Sequence, residues 1–330
     1  MKRRLPWGAL ARMTGRRALL AVPVLGVVTF GVFAVAAASP FDPVKAYTGT
    51  AGLTASQENL DQIRANLGVD QPLVTRWWDW ITGALRGELG DSSVMRMPVA
   101  DVIGERLGWS VLLAVTAFAV AVLLGTALGV LAARRRGGLL DRCACSAAYT
   151  LEAAPAFWLG LLAIWFFALQ LGVLPAGGLT DTASDTVTFD QVARHLVLPA
   201  AVLGVSQTPW FFLYTRQGVG DALDEDAVRG ARARGLAERT VLTGHALRAG
   251  MLPMLTLIGS RVPELITGAL LVETVFSWPG IAAATVQAAT AVDFPLLAAL
   301  TVLATAAVLL GNLLSDLLYG LADPRVGFDG

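Results

Sequence analysis

Six stretches of this chain are too apolar and too long to suit a water-soluble fold, and they constrain everything else. They run at roughly 18–38, 107–133, 146–170, 196–215, 250–275 and 294–320. Each approaches or exceeds the roughly 20 residues needed to cross a bilayer core. A backbone facing lipid must satisfy its own hydrogen bonds, so the spans are expected to be helices. Composition agrees: 15% of the 330 residues are charged and 55% are hydrophobic, whereas a soluble domain carries about a quarter charged residues. The expected class is all-α, a polytopic integral membrane protein with six transmembrane helices.

The polar intervals set the organisation. Residues 1–38 hold an N-terminal segment and the first span, and 39–106 form a substantial extramembrane segment. Residues 107–320 form a five-helix core interrupted by the loop 216–249, and 321–330 are a tail. Arg16 and Arg17 precede the first span, whose end, Ala36-Ala37-Ala38-Ser39, resembles a processing site. The apolar stretch exceeds a signal-peptide core and is long enough to span, which favours a retained anchor. Arginines cluster before span one, between spans two and three, and between spans four and five. By the positive-inside rule both termini and the 216–249 loop are then cytoplasmic, and the 39–106 segment faces outward.

Within 39–106, Thr54 to Leu67 reads as a helix with Leu60, Ile63 and Leu67 on one stripe and a Ser or Thr to cap it. Trp77, Trp78 and Trp80 follow; tryptophans bunched beside spans more often sit at the lipid–water boundary than on a ligand.

The stretch Asp221–Arg248 stands out between two apolar spans. Arg229, Arg232, Arg234 and Arg239 make it basic, Val228, Ala231, Leu236, Val241 and Leu242 give it apolar anchors, and Gly235 interrupts it. The pattern predicts two short amphipathic helices meeting at a glycine elbow and held against a membrane surface. A solvated connector is the plainer alternative for such a charge run.

Several chemistries are excluded. A net charge of zero gives no bulk electrostatic case for nucleic acid. Lys2 and Lys45 are the only lysines and neither follows a glycine, so the chain holds no phosphate-gripping P-loop. Any ATP it depends on must be bound by another subunit. His195 and His245 have no ligand cluster at metal spacing, and Cys143 and Cys145 read as small fillers. No catalytic, cofactor-binding or metal-binding residue is expected in the chain.

At the loop a resemblance enters. Arg229–Leu236 (RGARARGL), followed by His245–Arg248 (HALR) and Leu252-Pro253, resembles the EAA loop of binding-protein-dependent ABC importer permeases, in its oligopeptide, dipeptide and nickel variant. Further blocks agree in order. Phe41–Pro43, Leu67–Leu73, Gly87–Gly90 and Pro98 with Ile103–Leu107 look like the family's outer segment. Pro155–Gly160, Leu174–Gly177, Val272–Gly280 and Asp316–Tyr319 with Asp323–Arg325 look like its later parts. The similarity runs from about residue 20 to 327.

The resemblance implies a type I ABC importer permease fold in the bacterial plasma membrane, forming half of a translocation pore for di- or oligopeptides or a related small solute. It implies as partners a second homologous permease subunit, two cytoplasmic ATPase subunits that bind ATP and Mg, and an extracytoplasmic substrate-binding protein, all within membrane lipid. Arg229, Ala231, Arg232, Ala233, Arg234, Gly235 and Leu236 would then form coupling helices seated on an ATPase. The small Ala231 and Ala233 would allow close approach, and the arginines would steer docking to carboxylates.

Some residues depart from the family. Arg229 stands at the start of the signature where an acidic residue is the general rule, with Glu225 and Asp226 just upstream. Arg261 and Glu264 lie in span five where the family is uncharged, three apart and so able to pair on one helix face. Glu152 is a further unexpected carboxylate in span three. Ionisable groups inside a span usually face a pore or bundle interior, which makes these three candidates for the translocation path; mutual neutralisation near the membrane edge is the alternative. Other functions remain open at this level: a nickel or metal-chelate importer permease, a stand-alone secondary transporter or channel, or a membrane scaffold or sensor.

Overall fold

In the computed structural model the described residues are 7–39, 44, 48, 56–66, 70–181, 186–251, 254, 257–258 and 260–322. Phe41–Pro43 and Asp323–Arg325 therefore lie outside them, as does most of the 321–330 tail. The chain divides into two compact units, one made of residues 15–110 and 279–307, the other of 1–14, 111–278 and 308–330.

Helices dominate, as the apolar spans require. α1 (Trp7–Ala37) runs 31 residues and carries Pro23 within it. α2 (Gln57–Asn66) is the described part of the helix expected over Thr54–Leu67, whose two end residues lie outside the described ones; Ser56 Oγ accepts from the Asn59 amide at 3.3 Å at its start. α3 (Leu73–Ala84) follows Pro72. A two-residue hairpin of β1 (Asp91–Ser92) and β2 (Met97–Pro98) pairs antiparallel, Asp91 with Pro98 and Ser92 with Met97. Then come α4 (Val99–Arg134), α5 (Leu139–Ala153) and α6 (Ala156–Ala163), the last continuing as a π-helical turn over Ile164–Gln170. α7 (Phe189–Asp224) opens on a capping box between Thr188 and Gln191. The loop carries α8 (Asp226–Ala233), α9 (Glu238–Val241), a π-helical turn over Leu242–Ala246, and α10 (Leu247–Gly250). α11 (Val262–Val275), α12 (Ile281–Ala291) and α13 (Phe294–Ala322) complete the chain.

Among the described residues four helical stretches are long and apolar enough to cross a membrane: 14–35, 99–134, 189–224 and 294–317. A fifth is bent. Helices α5 and α6 with its extension pass the same test together, but meet at 105°. The sequence reading ran a straight span through 146–170; the break falls at Pro155. Proline offers no amide hydrogen and drives the preceding residue out of the α region, and Ala154 is extended at φ −84, ψ 126. The expected span at 250–275 includes residues 252, 253, 255, 256 and 259, which lie outside the described ones; α11 supplies its last 14 residues.

The unit of residues 15–110 and 279–307 is organised around one buried carboxylate. Asp293, 1% exposed, precedes α13 and caps it, its Oδ1 accepting from the Leu296 amide at 3.3 Å. Its Oδ2 accepts from Ser92 Oγ at 2.6 Å and the Val94 amide at 3.1 Å, which fixes the hairpin. Val99, Val102, Ala284, Ala288, Leu296 and Leu300 form the apolar core below. The tryptophan group of α3 is inward-tied as well: Trp77 Nε1 donates to Thr29 Oγ1 of α1 at 3.1 Å and Trp80 packs on Phe33, while Trp78 stays 58% exposed.

In the other unit small residues let helices meet backbone to backbone, as lipid-embedded bundles require. A side chain at Gly125 would lie 2.5 Å from Phe211 Cβ, and one at Gly129 2.7 Å from Thr215 Cβ, so α4 and α7 touch along a Gly-x-x-x-Gly ridge. His195, buried at the start of α7, bonds Gly177 O through Nδ1 at 3.0 Å and the Asp181 carboxylate through Nε2 at 3.3 Å.

Candidate functional site

The loop after α7 forms the two short helices and the elbow that its sequence predicted. An eight-residue and a four-residue helix cannot hold themselves in water, so tertiary packing must form them. Val228, Ala231 and Val241 are buried with Ala222 and Ala246 in one cluster, and Leu223 and Leu242 pack against it. Four of the five expected anchors, all but Leu236, therefore face one another and the end of α7 in place of a membrane surface. Each helix is too short to bury its stripe except on the other.

The elbow is a Schellman turn. Gly235 adopts φ +77, its amide donates to Arg232 O at 2.9 Å, and the Leu236 amide reaches back to Ala231 O at 3.3 Å. This left-handed conformation is the reason for glycine there. Across the elbow Arg232 grips Glu238 with two nitrogens, Nη2 at 2.7 Å and Nε at 2.9 Å from Oε1, and its Nη1 reaches Leu223 O at 3.5 Å. The Arg232 guanidinium holds the Glu238 carboxyl below its ordinary range.

The seven residues grouped from sequence thus separate into two sets. Ala231 is fully buried and belongs to the core, a correction to its place on a docking face. Arg232 is committed to Glu238. Arg229 (3.5 Å from Asp226), Ala233, Arg234, Gly235 and Leu236 are all exposed, and Leu236, an apolar side chain left 39% open, crowns the elbow. Arg234 makes no ion pair among the described residues. What the loop offers outward is one leucine beside the ion-pair-free Arg234, with paired charges around them.

Arg261 and Glu264 do pair, at 3.3 Å, at the N-terminal end of α11. The structure adds a third member, because the Arg261 guanidinium carbon lies 3.5 Å from the centre of the Trp210 ring on α7. Arg261 is 14% exposed and its Nε is buried without a hydrogen-bond partner among the described residues, while Glu264 is 49% exposed. Glu152 is not part of these contacts; it is exposed on the last turn of α5, one turn before the Pro155 break. Among the described residues no group of three or more His, Cys, Asp or Glu side chains is placed to hold a metal.

Sequence reasoning missed the network at the base of the loop. Asp141, 3% exposed at the start of α5, takes Nε and Nη2 of Arg216 and the Gly137 amide at 2.8 Å. Beside it, Arg136 Nη2 donates to Gln217 O at 3.0 Å and to Asp221 Oδ1 at 3.1 Å. The Gly218-Val-Gly220 spacing was the legible signal. Gly218 meets the backbone of Gly250, and Gly220 lies under the Arg136 guanidinium.

Comparison with known proteins places this geometry. The profile of the binding-protein-dependent transport system inner membrane component family matches residues 125–328, and that of the family's N-terminal region matches 10–114. A putative peptide permease protein of Brucella suis is 34% identical over 94% of this chain and 97% of its own length. The oligopeptide transport system permease protein AppB of Bacillus subtilis is 33% identical, covering 95% and 98%. The dipeptide transport system permease protein DppB of Escherichia coli is 35% identical, covering 94% and 97%. With matches over nearly its whole length, the chain belongs to the family of inner membrane components of binding-protein-dependent transport systems.

Proposed function

We propose that the chain is a permease subunit of an ATP-driven ABC importer of di- or oligopeptides, and that its 221–248 loop is the surface on which an ATPase subunit docks. The single observation that carries the docking assignment is the loop's construction. It is held from within by Val228, Ala231 and Val241 and by the Arg232–Glu238 pair, and it leaves Arg229, Ala233, Arg234 and Leu236 outward. A rigid elbow with an apolar tip and an outward arginine suits a groove on a partner that offers Arg234 a carboxylate, the charge steering approach and the leucine filling a pocket. The relatives' names, peptide, oligopeptide and dipeptide permease proteins, support transport of peptides, with chemistry left to other subunits.

In this reading the loop and both termini are cytoplasmic, and a second homologous permease completes the pore. Two ATPase subunits bind ATP and Mg, and an extracytoplasmic binding protein delivers the solute. Closure of the ATPases on ATP displaces the elbow as a rigid body and swings the helices attached to it. Arg261 and Glu264 line the translocation path, with Trp210 behind the guanidinium, and Glu152 contributes a carboxylate at the bend near Pro155.

The assembled importer tests this directly. Gly235→Pro is incompatible with φ +77 and removes the amide that bonds Arg232 O, so ATP hydrolysis should persist while peptide uptake falls. Normal coupling in that variant argues against the elbow. Uptake by Arg261→Ala and Glu264→Gln complexes should change in rate or peptide range; unchanged profiles remove both residues from the path. Identification of the molecule that co-purifies with the binding protein tests the substrate class, and a metal chelate in place of a peptide would reassign it.

A further inference from the structure

The turn between α4 and α5 is wired to the end of α7 more heavily than any connector needs. Arg136 lies across the last turns of α7, donating to Gln217 O at 3.0 Å and more weakly to Arg216 O at 3.4 Å. Its Nη2 also donates to Asp221 at 3.1 Å, and its Nη1 stands 3.8 Å from Asp224. Asp221 is itself steadied by Gln217 Nε2 at 2.7 Å.

Two features show that the seat is built. At Gly220 any side chain would occupy the space of the Arg136 guanidinium. One turn earlier, Arg216 reaches back to the buried Asp141 with two nitrogens, and that carboxylate also takes the Gly137 amide at 2.8 Å. Each side of the junction thus contributes an arginine to a carboxylate on the other. One is a two-nitrogen fork, Arg216 on Asp141; in the other Arg136 gives Asp221 one nitrogen and two α7 carbonyls the rest of its hold. The two, running in opposite senses, resist both rotation and sliding, which a single ion pair does not. Directly after Asp224 the chain passes through Glu225 into α8, the helix that leads to the elbow.

We propose that Arg136 is a positioning residue for ATP coupling: it locks the α4–α5 turn to the base of the coupling loop, so that the loop, the end of α7 and helix α5 move as one body. The inference rests on the docking role given to the loop above. On this account the ATPase's displacement enters the membrane domain along α5, which leads to the Pro155 bend, as well as along α7. A single ion pair would transmit push but little twist; two ion pairs crossing in opposite senses transmit both.

The experiment uses the complete reconstituted importer carrying spin labels at Ala147→Cys on α5 and Thr243→Cys in the loop, with Cys143→Ser and Cys145→Ser in the background. The label-to-label distance is read without nucleotide and after trapping with ATP and vanadate. With Arg136 present the distance should be single and the same in both states. In Arg136→Ala it should shift or split on trapping, with ATP hydrolysis retained. Gly220→Ala, which expels the guanidinium, should do the same, and combining the two should add little, since both remove one seat. Arg136→Lys should restore part of the single distance, because charge returns without the guanidinium. A distance that changes on trapping in the parent protein, or variants that match the parent in both states, would overturn the lock. A parent complex that assembles with no ATPase and traps no nucleotide would instead overturn the docking role itself, and the lock with it.

Discussion

Two turns in this chain bring short elements to the end of a long helix, and they are held in opposite ways. At Asp293 a buried carboxylate collects a hydroxyl and two amides from the hairpin and from α13, and nothing polar is left over for a partner. In the 221–248 loop the inner cluster is small and aliphatic, the main ion pair is exposed, and further arginines point away from the fold. The first arrangement spends all its hydrogen-bonding capacity internally and is a fixture. The second keeps its shape with a small apolar cluster and exposed ion pairs, and leaves Arg234 and Leu236 open toward another surface. A polar cluster's saturation, more than its size, separates support from recognition.

The contrast can be broken most severely at Asp293. Asp293→Ala strands Ser92 Oγ and two amides in a buried site and should cost about 4 kcal/mol, seen as a large fall in the melting temperature of the detergent-purified protein; Asp293→Asn should recover part of it. Next comes the inner face of the loop. Ala231→Asp buries a charge and should cost about 3 kcal/mol locally, exposing the elbow to protease, whereas Ala233→Asp on the open face should leave melting unchanged and weaken ATPase binding. If the two positions behave alike, the division of the loop into inner and outer faces is wrong. A smaller effect is expected from Gly235→Ala, about 1 kcal/mol, since its φ of +77 strains an alanine without breaking a hydrogen bond.

The smallest effect concerns pH. Arg232 lowers the folded pKa of Glu238 below its ordinary 4.5, so the folded loop binds fewer protons there than the unfolded chain. The contribution is present above that ordinary value and is lost as pH falls through the lowered one. Both side chains are exposed, so the loss should be slight and should vanish in high salt; limited proteolysis between pH 6 and 3 would follow it.

Much of this was legible in the sequence. Apolar length announced the helices, the Leu60–Ile63 stripe announced α2, and Gly235 announced the elbow, because each acts through its neighbours in the chain. Pro155 was equally visible, yet mean apolarity carried the span across it; a local breaker outweighed composition. Contacts across the fold were not legible. Asp293 with Ser92, and Arg136 with Asp221, are far apart in the chain, and nothing in one segment names the other. Ala231 and Ala233 look alike in sequence; only the turn of a short helix decides which is inside. Trp210 gave no sign that it would receive Arg261.

The crossing of Gly218 and Gly250 has one more consequence, for the order in which the molecule is made. The two residues lie on either side of the loop, about 30 positions apart, a short closure for a chain. No residue after Gly250 is needed to bring the ends of the loop together. The elbow can therefore fold while α11, α12 and α13 are still being synthesised, so a nascent chain can carry a finished elbow before its last helices exist.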